Sequence, residues 1–304
     1  MLVWNAHKVK IHSLAFSPDG TRIATTAGES RFVWLWEAVT GKLIHKHRSN
    51  QPQTRAVEFF PDGTHLAAHS EYSEIQIWDN DTEEVVANLR ADGNYSDSLA
   101  ISPDGSRLFA CDYTGIMGWD EPTRHTPLTK RREADRSMTF DHHSPVKIGY
   151  SPRGTFLCVA EWNLHLLSPS GVDVRHRFQD PDSGRAASAT AFAFTPDESA
   201  LVVALGHRAA VWKLKEGGKP DGQAVQLKGH SQTVKAVGFL PGNQSVLTAG
   251  LDGTARIWDA STGAEIRSFD WGIGKVRVAA VSPDGTLCAA GSDDGRIVVW
   301  DIDS

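Results

Sequence analysis

A short turn built on proline, aspartate and glycine recurs seven times in this chain, at Pro18, Pro61, Pro103, Pro152, Pro196, Pro241 and Pro283. Successive copies stand 42 to 49 residues apart. A second mark keeps step with the first. It is a β-rich run ending in Trp36, Trp78-Asp79, Trp119-Asp120, Trp212, Trp258-Asp259 or Trp300-Asp301. A period of about 44 residues with a tight turn and an aromatic strand end is the mark of four short strands stacked against the next four. The chain is therefore expected to be all-β, a seven-bladed β-propeller of four-stranded antiparallel blades.

The repeat from Gly229 to Gly263 shows how one blade is built. Val234, Val237 and Phe239 line a first strand, stopped by Pro241-Gly242-Asn243. Ser245 to Ala249 reads as a second strand, Thr254 to Trp258 as a third after Leu251-Asp252-Gly253, and Ala264 to Phe269 as an outer fourth. Glycine or proline stands at every join, as an antiparallel meander requires. The last repeat stops at Trp300-Asp301 and lacks a fourth strand, so Met1–Asn5 is predicted to supply it beside Ile297–Trp300 and close the ring. Such closure removes an open sheet edge. One domain over 1–304 follows, with blades at 6–45, 46–89, 90–134, 135–179, 180–228, 229–270 and 271–304 and a closing strand at 1–5.

These residues resemble those of the WD40-repeat family over essentially the whole chain. The resemblance implies a buried structural tetrad of His, Ser or Thr, Asp and Trp in each blade. Here His230, Thr248, Asp252 and Trp258 occupy all four places. Other blades depart from the pattern. The first offers His7, Thr26 and Trp36 with Ser30 at the acid position, and the seventh has Asp294 and Trp300 but Gly272 and Ala290 elsewhere. The fifth keeps Trp212 alone, and the fourth has Leu166 or Leu167 at the strand end.

Charge and cysteine narrow the function. A net charge of −6 argues against a nucleic-acid binder, which needs a broad basic face. Lys130-Arg131-Arg132 and Arg175-His176-Arg177 are too short to make one and read as solvated edges. Cys111, Cys158 and Cys288 are isolated and odd in number, the usage of a reducing compartment. No basic head precedes an apolar run, and no apolar stretch nears the ~20 residues of a membrane span. A cytoplasmic protein without membrane contact is expected.

No nucleophile elbow, zinc-protease pair, phosphate loop or dinucleotide glycine pattern is present. His142-His143 beside Asp141 point to opposite faces if they lie on a strand, and Asp294 of the Asp293-Asp294 pair takes a structural place. No catalytic residue, metal or cofactor is assigned. The family resemblance implies instead that the loops joining strand four to one and two to three form a face that binds peptides or proteins. Its acidic rim reads Glu29, Glu71, Asp112, Glu161 and Asp293. A second column, five residues after each opening position, contains His12, Arg55, Lys235 and Arg277. The two columns can pair as surface salt bridges, Arg55 with Glu71 and Arg277 with Asp293, or the bases can face the central funnel. Tyr72, Tyr95, Tyr113, Trp162 and Trp271 fall in loops of the same face, and exposed aromatics commonly anchor interfaces. The expected function is a non-enzymatic scaffold for a protein or peptide partner, either a monomer or part of a hetero-complex. The alternatives are a regulatory or sensing module for an enzyme on another chain, or a propeller enzyme of hydrolase or lactonase type.

Overall fold

The computed structural model describes residues 1–70, 74–90, 98–111, 115–123, 136–139, 147–160, 164–171, 173–182, 184 and 189–302. They form seven four-stranded antiparallel sheets, and neighbouring blades touch around the ring, inner strand to inner strand at every join but that of blades four and five, where Leu157–Ala160 meets Ala189–Phe194. Blade one runs Ile11–Phe16, Arg22–Ala27, Phe32–Glu37 and Leu43–Arg48; blade six runs Val234–Phe239, Ser245–Gly250, Thr254–Asp259 and Glu265–Asp270. The single helical element among the described residues is a 3-10 turn, Glu216–Gly218. Leu2–Asn5 pairs antiparallel with Arg296–Asp301, placing Leu2 opposite Val299 and Asn5 opposite Arg296. The N-terminal strand thus completes the seventh blade.

The period-two alternation of strand residues explains why blades need neighbours. In Thr254–Asp259, Ala255 and Ile257 pack toward blade seven with Ile273, Cys288 and Trp300. Trp258 packs the other way, toward Val202, Val211 and Leu227 of blade five. The core is therefore a set of layers between blades, and each sheet is apolar on both faces.

The proline turns hold the lower face. Ser17 Oγ donates to Asp19 at 2.5 Å and accepts the Arg22 amide at 2.9 Å. Ser102 with Asp104 and Ser282 with Asp284 repeat this pattern. Gly20 closes the turn at φ 72°, where a side chain is strained.

Two blade boundaries differ from the repeat count by more than a residue: the outer strand of blade one runs on to Arg48, past the boundary at 45, and the second follows blade three. Arg136–Thr139 pairs with Gly115–Gly118 as the outer strand of the third sheet, although the spacing placed it in a fourth blade starting at 135. The sequence after Trp119 has turn residues at Glu121-Pro122, but no glycine stands next to Arg136 to mark the start of the outer strand.

Candidate functional site

Blade six carries one continuous hydrogen-bonded chain from its core to its upper loops. The Trp258 indole N–H donates to Thr248 Oγ1 at 2.8 Å, and the Thr248 hydroxyl meets His230 Nε2 at 2.7 Å. His230 Nδ1 reaches Asp252 Oδ2 at 2.8 Å, and Asp252 also accepts the Ser231 amide at 3.0 Å. Each group has one role if the imidazole is neutral with its proton on Nδ1. Burial first, against the pull of Asp252, holds the His230 pKa below its ordinary value. For Asp252 burial pushes upward, but the bonds from His230 and Thr254 outweigh it and the carboxyl lies below its usual range.

Other blades keep fragments of this chain. In blade one, His7 Nε2 and Trp36 Nε1 both meet Thr25 Oγ1 at 2.8 Å. The hydroxyl is thus Thr25, not Thr26, whose own Oγ1 donates to the Arg55 carbonyl of blade two. A one-residue slip in a strand reverses the face, and two adjacent threonines gave the sequence no means to choose. Blade two uses amides instead: Gln76 Nε2 donates to Asn88 Oδ1 at 3.0 Å and Gln76 Oε1 accepts the Asn50 amide at 2.7 Å. His47, on the outer strand of blade one, lies 5.5 Å from the Trp78 ring of blade two and contacts Asn80, a contact with no counterpart in the tetrad pattern. In blade seven Asp294 is exposed and binds Arg296 and Ser292 rather than an imidazole.

Trp271 belongs with these core departures. It stacks on Phe269 at 5.4 Å and lies 4.4 Å from the Trp300 ring, half-buried in the layer between blades six and seven. The Trp300 indole N–H has no hydrogen-bond partner among the described residues. The expected loop aromatic is therefore a packing residue that covers the space where blade seven lacks its histidine.

The basic column has a structural cause. The pairing of first and second strands shifts register between Ile11 and Ser13, Thr54 and Ala56, Ala189 and Ala191, Val234 and Ala236, and Val276 and Val278. The residue left over in each case is His12, Arg55, Thr190, Lys235 or Arg277. A β-bulge frees one residue from the ladder and re-aims its side chain. The innermost strand therefore carries one such residue at its upper end in these five blades. Among the described residues no ion pair joins Arg277 to Asp293; Asp293 Oδ1 accepts the Lys275 amide at 3.1 Å. Arg55 Nη1 lies 3.2 Å from His12 Nε2. Glu29 is exposed beside this rim. Glu71, Tyr72, Tyr95, Asp112, Tyr113, Glu161, Trp162 and His142-His143 lie outside the described residues.

Below the rim, Glu58 is open to solvent on the innermost strand of blade two yet enclosed by protein. That enclosure pushes its carboxyl up to about 7 against the pull of Lys147. Cys111, Cys158 and Cys288 are buried and in no disulfide, and burial pushes the Cys288 thiol up to about 12. Among the described residues no group of three or more His, Cys, Asp or Glu is placed to hold a metal ion.

The WD-domain, G-beta repeat family model matches residues 1–37, 221–259 and 265–301, the blades with the most complete network or the closing strand. With seven sheets closed by the N-terminal strand, that match decides the family. The chain is a WD40-repeat propeller. It is 24% identical to human apoptotic protease-activating factor 1 over 97% of this chain and 26% of that protein. It is 26% identical to the Drosophila melanogaster WD repeat-containing protein 26 homolog, over 80% of this chain and 45% of the relative. To the rice guanine nucleotide-binding protein subunit beta it is 23% identical, over 97% of this chain and 69% of that one. The propeller thus spans about a quarter of the first of these relatives and under half of the second. No helix among its described residues is long and apolar enough to cross a membrane.

Proposed function

We propose that this WD40 propeller is a non-enzymatic interaction module that holds a protein or peptide partner on its upper face, in the cytoplasm. The observation that carries this reading is the set of bulged residues His12, Arg55, Thr190, Lys235 and Arg277 around the upper end of the channel. Bulges interrupt strand pairing at a cost to the ladder, and they concentrate where a side chain is aimed at a task. Here they offer polar and charged groups on rigid strands rather than on loops. The rice relative is by name a subunit of a larger assembly, which supports a binding role. The three buried cysteines, none of them in a disulfide, suit a reducing compartment.

Affinity capture from native lysate with mass-spectrometric readout tests the reading. A protein enriched by the wild type should be lost with Lys235→Ala or Arg55→Ala and retained with Ile266→Lys, a change on the exposed outer strand of blade six. Loss with Ile266→Lys alone would move the binding surface to the perimeter. No enriched protein would count against an interaction module.

A further inference from the structure

We infer that the channel mouth over blades seven, one and two binds carboxylates of an acidic peptide segment, with Arg277 as the principal anchor. This rests on reading the upper face as the partner-binding face. The three blades are neighbours in the ring, since the inner strand of blade one touches those of both blade two and blade seven. Their bulged residues are Arg277, His12 and Arg55 in that order, so the imidazole sits between two guanidinium groups.

The Arg55–His12 contact is informative in itself. Nη1 is 3.3 Å from Nδ1 and 3.2 Å from Nε2 of the same ring. Near-equal approach to both nitrogens places the guanidinium along the ring rather than on one lone pair. The ring remains neutral: burial first, then the charges of Arg55, Lys10 and Arg277, lower its pKa to about 4. His12 therefore separates cations without adding to their repulsion.

The mouth gathers positive charge from blades seven and two, on either side of blade one, in a molecule that carries a net negative charge overall. Arg277 Nε is buried and has no hydrogen-bond acceptor among the described residues. A buried, charged donor without a partner is costly, and an incoming carboxylate supplies the acceptor in the two-point geometry that arginine favours. Among the described residues the nearby acids do not fill this role. Asp293 is engaged by the Lys275 amide and makes no ion pair with Arg277. Glu29 is exposed on its turn. Glu58 is three residues further down the strand from Arg55, about 10 Å at strand rise, and disfavours an anion deeper in the channel. Across the ring, Thr190 spends its hydroxyl on the Val234 carbonyl at 2.7 Å. A nucleic acid would need a broad basic face; a compact basic mouth on an acidic molecule suits a few carboxylates instead.

Fluorescence anisotropy with a labelled hexaglutamate peptide tests this, beside a Gly-Ser peptide of equal length and a short oligothymidylate. Hexaglutamate should bind and the Gly-Ser peptide should not, with affinity falling as salt rises. Arg277→Ala and the length-preserving Arg277→Gln should each weaken binding about tenfold or more, and Arg277→Lys by less. Arg175→Ala, on the exposed outer strand of blade four, should leave it unchanged. Using two neutral variants with their melting curves separates lost binding from lost folding. Hexaglutamate binding no tighter than the neutral peptide, equal weakening by Arg175→Ala, or tighter Arg277-dependent binding of oligothymidylate would each overturn the inference. A captured partner that depends on Lys235 but is not displaced by hexaglutamate would also overturn it while leaving the interaction module intact.

Discussion

At the scale of single residues, the same repeat position does two different jobs. Asp252 is buried against His230 and two amides, whereas Asp294 is exposed and tied to Arg296. Removing a buried acceptor strands its donors, at about 1–3 kcal/mol. Asp252→Ala should therefore lower the urea midpoint by an amount of that order, while Asp294→Ala should change stability by about 0.5 kcal/mol or less. Equal losses at the two sites would mean that the blade-six chain adds nothing to stability. His230, Thr248, Asp252 and Trp258 were legible in the sequence because all four types appear at fixed offsets. Thr25 was not, since choosing between two adjacent threonines requires the strand register.

At the scale of strands and loops, packing decides what a residue type leaves open. A tryptophan followed by two nearby glycines in a loop reads equally well as an exposed anchor or as a buried plate, because residue type alone does not report exposure. The structure gives Trp271 the second role. Trp271→Ala removes its contacts with Phe269 and Trp300 and should cost about 2 kcal/mol, less than a fully buried tryptophan loses. Trp271→Phe should recover most of it. Melting temperature reads both, and an unchanged curve for the alanine variant would return Trp271 to the list of partner-binding residues. The bulges had a sequence trace, a column of His, Arg, Lys and Arg at one offset, but the extra residue that makes each bulge is visible only once the strands are paired. Likewise no glycine next to Arg136 marks the start of that outer strand.

At the scale of the whole ring, buried neutral imidazoles are distributed over several blades. Burial is the foremost cause that holds His7, His12, His47 and His165 at about 4. The unfolded chain takes up these protons near pH 6.5, whereas the folded one resists until about 4. Stability from these groups is therefore present above pH 6.5 and falls as the pH drops toward 4. The limit is about 1.4 kcal/mol per pH unit for each fully shifted histidine, and His7 and His12, being partly exposed, should give less. Urea midpoints at pH 7, 5.5 and 4.5 should decline steadily; a flat profile would mean that these histidines titrate as they do in the unfolded chain. Architecture was the most legible level of all. Seven turns and six aromatic strand ends repeat a single arrangement, so errors at individual positions do not accumulate in the count of blades.

The closing strand also fixes how the ring answers to force. Leu2 lies opposite Val299, and Asn5, three residues further in, opposite Arg296, so the two ends of this sheet pair leave from the same side. A pull between them loads the hydrogen bonds one at a time, beginning with the outermost pair, rather than shearing all of them together. The propeller is thus weakest in tension at the seam that completes it, and its other six blades feel the load only after that seam has peeled open.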